Sequence, residues 1–262
     1  MRKIFSINIK VYYYSMALIG ALLFWGCDSD NAWDCFQTSG PIVQRTFNVD
    51  KFKKIIIWNR VQLIVSSGPQ QSVVVESGEN LMNEVLVRVE DSILKVSDRN
   101  SCNYTRDYGI TKVYVTSPVD SIEIRSSSGL PVIGQGRITF KKLILLSEDR
   151  EQEGEFHTDG DFYFEDLDVT QLVIFANGTS KFFLGGRTNS ANIGLYDGDA
   201  RIEAPDLEIK NLYLFHRSTN KMVVAPTNLI QGRIVGIGDV ICLTQPPLIN
   251  VEEEFTGRLI FQ

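Results

Sequence analysis

The chain of 262 residues contains only two histidines, His157 and His216. Neither stands at a spacing that pairs with Ser and Asp or with a second metal ligand, and both are expected on the surface. There is no CxxC pair and no Cys/His cluster, so a structural zinc site is excluded. No metal and no other cofactor is expected. No apolar run reaches the roughly 20 residues that a membrane-spanning helix needs. A dense basic tract is also missing. Lys51, Lys53 and Lys54 form the nearest cluster, and three cations before a strand read as a solvated strand edge. The formal net charge is −6, which repels phosphate backbones, so no nucleic-acid partner is expected. Finally, no long stretch repeats with a helical period; only Glu79 to Glu84 hints at a helical turn.

What the sequence does have begins with an export signal. Arg2 and Lys3 form a basic start, and Val11 to Trp25 is almost wholly apolar. That run fits the core of a signal peptide. It ends at Gly26-Cys27, which resembles a lipobox: a small residue at the cut, then a thiol to be acylated. Phe24 and Trp25 are bulkier than the usual lipobox residues. Residues 1–26 read as the signal peptide, and Cys27 as the lipid-bearing first residue of the mature chain. Loss of Arg2, Lys3 and Lys10 carries the net charge from −6 to −9. The stretch Asp28-Ser29-Asp30-Asn31 resembles the acidic tether of surface lipoproteins in Bacteroides-type bacteria. Residues 27–44 are read as lipidated Cys and tether. The expected location is the cell envelope, lipid-anchored in the outer membrane on its periplasmic or surface face.

With Cys27 assigned to lipid, Cys35, Cys102 and Cys242 remain. Export permits a disulfide. Cys35 and Cys102 lie in polar, Asn/Asp-rich surroundings, whereas Cys242 lies in an apolar strand. The economical pairing is Cys35–Cys102, with Cys242 a buried small hydrophobe. Such a bridge closes a loop of about 67 residues and is worth on the order of 4 kcal/mol.

The body reads as all-β. Ile55 to Trp58, Val61 to Val65, Val73 to Val75, Val85 to Val89, Ile93 to Val96 and Val113 to Val115 are short β-branched runs parted by turn residues. From about residue 172 a period of twenty appears. Gly178, Gly198, Ser218 and Gly238 form a turn column. Phe175, Leu195, Phe215 and Val235 form an apolar column, as do Phe182, Ile202, Met222 and Cys242. Ile209, Leu229 and Ile249 form a third, and Gly185, Pro205 and Ala225 a column of small residues. Columns held in phase predict a right-handed parallel β-helix or β-solenoid, with coils of about twenty residues stacked ~4.8 Å apart. Ile122 to Gly129 and Leu143 to Ser147 read as earlier coils, and Glu148 to Glu155 as a loop bulging from one of them. The solenoid domain is expected over 45–262. Residues 116–262 form its repetitive coils; 45–115 is a less regular section, either early coils or a separate β layer.

Several stretches resemble one family. They are Asp34-Cys35-Phe36-Gln37-Thr38-Ser39-Gly40, Phe52-Lys53-Lys54-Ile55, Gly78-Glu79-Asn80-Leu81 with Leu94-Lys95-Val96, and Gly236-Ile237-Gly238-Asp239-Val240 before Pro246-Pro247. Together they resemble the "putative auto-transporter adhesin, head GIN domain" family of Bacteroides-type lipoproteins, from about residue 34 to the end. The Ser-Gly-Ser-Gly-Asp turns of that pattern are replaced here by Ala176-Asn177-Gly178-Thr179 and Phe215-His216-Arg217-Ser218. The resemblance implies a parallel β-helix-like fold and an adhesin or surface-binding role.

Three functions are compatible with these features. The first is a non-catalytic envelope module that binds a glycan or an envelope protein. The second is a β-helix polysaccharide lyase or hydrolase. The third is a purely structural role. An enzyme needs convergent carboxylates, and Asp159-Gly160-Asp161 and Asp197-Gly198-Asp199 are the candidates. Turn chemistry explains the same residues, and the reading favoured is no enzyme. Phe162-Tyr163-Phe164 and Phe182-Phe183 place rings on both strand faces, one of each set inward. Asp159, Asp161, Tyr163, Asp197 and Asp199 make up the candidate binding face.

Overall fold

A computed structural model describes residues 38–58, 60–100, 109–150 and 154–262. Cys27, Cys35 and Cys102 lie outside the described residues, and so do the signal peptide and the disulfide expected from the sequence.

The described residues are all-β, with one short 3-10 turn at Met82–Glu84. Seventeen strands join one curled sheet, and all of them fall in one unit, Ser39–Arg99 with Tyr108–Gln262. Two long ladders carry it. The first ladder begins with β2 (Lys54–Trp58), β6 (Ile93–Asp98), β8 (Ser121–Ser127) and β10 (Lys142–Ser147). The second begins with β3 (Val61–Ser67), β7 (Thr111–Ser117) and β9 (Val132–Gly134). Four long strands then run through both ladders: β11 (Phe162–Ala176), β12 (Lys181–Leu195), β13 (Arg201–His216) and β14 (Met222–Ile234). Every neighbour along this course is parallel.

The order of stacking is not the order of the chain. The segment β2–β3, made first, ends up inside: β6 and β7 pair on one side of it, β8 and β9 on the other. Antiparallel strands then line the outer edge. β4 (Ser72–Gly78) pairs β7, β1 (Ile42–Thr46) pairs β4, and β5 (Val85–Glu90) pairs β6. At the opposite end β14 pairs β15 (Val240–Cys242) and β16 (Leu248–Glu253), and β15 pairs β17 (Leu259–Phe261). Glu252, Glu253 and Glu254 sit on that edge, where charge discourages stray strand pairing.

Alternation drives the packing. In β3 and β7 alternate residues are buried, as period-2 patterning requires. Like positions lie over one another, so the core is built of side-chain columns. Phe162 and Phe182 stack inside, with ring centroids 4.7 Å apart and planes 9° apart. Each ring buries fully, which contributes about 2–3 kcal/mol, and the stacked pair adds roughly 1 kcal/mol.

The period of twenty survives only in part. Phe182, Ile202 and Met222 are true partners, but Met222 then lies beside Val240, and Cys242 lies beside Val224. The column expected at Phe175 and Leu195 breaks: Phe175 lies beside Gly194, in a row that continues to Phe215 and Arg233, whereas Leu195 lies beside His216. Leu229 lies beside Leu248, while Ile249 lies beside Ile230, and Gly185 lies beside Asp206. The physical reason is the corners. The register slips between Phe164 and Leu167, between Phe183 and Gly185, and between Glu203 and Glu208. The first two change the spacing by one residue and the third by three, and irregularities of this kind bend the strand.

The turn column does hold. Asp199 donates to the carbonyl of Gly178, Thr219 to that of Gly198 and Gly238 to that of Ser218. Gly198 adopts φ +73°, as its Asp-Gly turn demands. Gly178 has an ordinary φ and is needed for space instead: a Cβ there would lie 2.1 Å from the Thr158 hydroxyl.

Candidate functional site

The parallel register builds rows on the outside as it builds columns inside. One outward row crosses the second ladder from Tyr114 through Ile64, Ile133, Tyr163, Phe183 and Glu203 to Val223, Ile241 and Ile260. Eight of these nine side chains are apolar or aromatic, although they face away from the core. At its centre Tyr163 and Phe183 stack, centroids 4.7 Å apart and planes 7° apart. The two rings are half-buried, with Ile133 beside Tyr163 and Glu203 beside Phe183 in the same row.

Beside Phe183 the bulge at Gly185 opens a shallow depression of about 590 Å³. Phe183 and Gly185 form its floor, Glu165 and Asp206 stand on the rim, and the ion pair Arg201–Glu203 closes one side. A Cβ at Gly185 would meet the carbonyl of Glu165 at 2.5 Å, so the floor is backbone-tight. A flat ring below, with carboxylates and a guanidinium at the edge, offers stacking together with acceptors and donors.

Of the residues expected at the site, Tyr163 and Asp161 share this outer face. Asp161 spends one carboxylate oxygen on the Lys181 amide at 2.8 Å. The other acids lie in the turn corner next to it. Asp197 accepts from the Gly198 amide at 3.0 Å. Asp199 accepts from the Thr219 hydroxyl at 2.6 Å and from the Asn220 side-chain amide at 3.2 Å. Asp159 lies over Gly129 of the preceding turn. Asp161 and Asp199 thus fasten one turn to the next, whereas Asp197 bonds within its own turn. Among the described residues no three His, Cys, Asp or Glu side chains converge as a metal site.

Three residues of the depression, Glu165, Arg201 and Asp206, escaped the sequence reading; Asp206 comes beside Gly185 only through the slipped register, while Arg201 keeps the spacing of twenty but was not singled out among ordinary strand charges. A second, mostly polar groove lies on another corner, lined among others by Asp168, Arg187, Asn189, Glu208, Lys210 and Asn228. There Arg187 grips Asp168 with two bonds of 2.8 Å and holds its carboxyl below the usual range. Arg187 and Asp168 lie side by side on neighbouring strands, an exposed pair that contributes little stability.

His216 departs from expectation. It is fully buried, in the inward column between Leu195 and Ile234. Burial lowers its pKa from 6.5 to about 4, outweighing the backbone of Gly238 and Asn220 and the charge of Asp239. Neither ring nitrogen makes a hydrogen bond of good geometry. His157 is exposed. Cys242 is a free thiol in the core, and burial pushes its pKa up to about 12, so it is an inert hydrophobe.

Among the described residues no helix is long and apolar enough to cross a membrane. The family described as "Putative auto-transporter adhesin, head GIN domain" matches residues 51–246. No curated protein matches the chain. Among solved structures, a putative adhesin from Bacteroides fragilis superposes with a TM-score of 0.70 at 16% identity, covering 86% of this chain and 100% of that one. A putative adhesin from Parabacteroides distasonis gives 0.58 at 14%, covering 85% and 99%. A putative lipid binding protein from the same species gives 0.56 at 16%, covering 84% and 97%. At these identities the likeness is one of fold.

Proposed function

We propose, from the premise that this chain belongs to the head GIN domain family of putative auto-transporter adhesins, that it is a non-catalytic, lipid-anchored surface-binding module that recognises a glycan. The Tyr163–Phe183 stack carries the reading. Two outward rings held in register by neighbouring strands make a preorganised platform, and the apolar face of a pyranose stacks on such a platform. Glu165 and Asp206 are placed to accept sugar hydroxyls, and Arg201 to donate to them. Asp161 extends the face, with Asp159, Asp197 and Asp199 behind it in the corner.

The parallel ladders and their turn column support a right-handed β-helix as the scaffold, with coils of about twenty residues. Cys27 supplies the lipid, the residues between it and β1 the tether, which is shorter than the 27–44 expected because Ile42–Thr46 already pairs β4, and the outer membrane the address. The adhesin family points to the cell surface or envelope and away from an enzyme, and Asp197 and Asp199 of the corner are engaged in turn hydrogen bonds.

A glycan array tests the reading. The mature chain should bind a defined set of glycans without cleaving them, and Phe183→Ala should abolish that binding while the fold is kept. Binding unchanged by Phe183→Ala, or turnover of the bound glycan, would overturn it.

A further inference from the structure

At the antiparallel end of the first ladder lies a basin that the binding face above does not use. Its lining is Trp58, Leu86, Arg88, Lys95, Ser97 and Arg99, and its volume is about 260 Å³. The register explains how these residues meet. Ser97 of β6 lies between Trp58 of β2 and Leu86 of β5, and Lys95 lies beside Arg88. Ser97 and Leu86 therefore form the floor and Trp58 one wall. Lys95 and Arg88 stand at one end, and Arg99 stands two residues beyond Ser97 at the other. The span between Lys95 and Arg99 is about 13 Å of extended chain.

The charges in the basin do not cancel. Glu90 accepts from Lys95 at 2.7 Å and from Arg88 at 3.1 Å, and it is the single carboxylate for that pair. Lys95, donating, holds the Glu90 carboxyl below its ordinary range. Arg99 makes no ion pair among the described residues. Three cations against one acid stand here in a chain of net charge −6. Trp58 is braced from outside: Phe156 stacks on it with centroids 6.2 Å apart, and Arg125 lies 4.6 Å over Phe156. The indole is thus a fixed wall with a charged rim.

We propose that this basin binds a pyranose carrying one anionic group, a carboxylate, sulfate or phosphate, with the ring against Trp58 and the anion between Arg88, Lys95 and Arg99. The cations supply charge-assisted bonds, the indole supplies a face for the ring, and the volume fits one sugar rather than a chain. Glu90 competes with the ligand for Arg88 and Lys95. The site is separate from the Phe183 platform and stands or falls without it.

The test is fluorescence titration of the mature, lipid-free chain with glucuronate, glucose 6-phosphate, glucose and inorganic sulfate, Trp58→Phe identifying the signal. Glucuronate and glucose 6-phosphate should bind and glucose should not. Arg99→Gln should weaken binding roughly tenfold, the loss of one charge-assisted bond. Glu90→Gln should tighten it several-fold, because the competing carboxylate is gone. Phe183→Ala should leave it unchanged, so failure here and failure of the platform are read separately. Equal binding of glucose and glucuronate would overturn the proposal. So would inorganic sulfate binding as tightly as the acidic sugars, an affinity indifferent to Glu90→Gln, or no binding by any of the four.

Discussion

Replacing His216 by Leu should remove a defined part of the acid sensitivity of the fold. His216 is fully buried in the core column, and burial lowers its pKa from 6.5 to about 4. Above pH 6.5 the imidazole is neutral in the folded and the unfolded chain, and it adds no pH dependence. Between pH 6.5 and 4 the unfolded chain takes up a proton that the folded chain refuses. Stability therefore falls as the pH falls, and the loss is complete below the folded pKa. The full loss is about 3 kcal/mol, and at about pH 4.5 it is roughly 2.5 kcal/mol. Leu has a similar volume and no charge to bury, so His216→Leu should lack this loss. The assay is urea unfolding of both proteins at about pH 7.5 and 4.5. Surface carboxylates titrate alike in both, and the difference between the two pH dependences isolates His216. Parallel pH dependences would refute the reasoning, because they would mean that the ring is solvated or paired when protonated.

Gly178→Ala should destabilise the chain by about 2–3 kcal/mol in urea melts, since its Cβ would press on the Thr158 hydroxyl and carbonyl. A neutral result would show that the turn corner gives way. Cys27→Ala should shift the protein from the membrane to the soluble fraction of cells; unchanged fractionation would count against lipidation. Peptide mass mapping without reductant should recover Cys35 joined to Cys102, and free thiols at both would remove that bridge.

The sequence made some levels of this structure legible and hid others, for physical reasons. Strands such as Ile55 to Trp58 and Val113 to Val115 announced themselves through β-branched runs, because each has one buried face. The turn column at Gly178, Gly198 and Ser218 was readable because backbone bonds between successive turns fix that corner. The apolar columns at Phe175 and Leu229 were not, because irregularities at the other corners shift the register, by one residue between β11 and β12 and between β12 and β13 and by two to three between β13 and β14. A one-residue slip sends a side chain to the opposite face; hence Phe175 points out and Leu195 in. His216 was expected at the surface because it stands at no spacing with a partner residue, yet it occupies an inward position. The placement of β6–β7 outside β2–β3 left no local trace at all, since strand partners far apart in sequence are chosen by packing. The same limit applies to the site: Tyr163 was visible as one of a run of three aromatics, but Asp206 meets Gly185 only through the slipped register.

The account rests most on the outward Tyr163–Phe183 pair as the surface that touches a ligand. NMR of the mature chain with labelled Phe and Tyr rings, titrated with a glycan selected on the array, observes that contact directly. The prediction is that ring resonances of Phe183 and Tyr163 shift while those of the buried Phe162 and Phe182 stay in place. Shifts confined to the polar groove around Asp168 and Arg187, with the stacked pair unmoved, would contradict it.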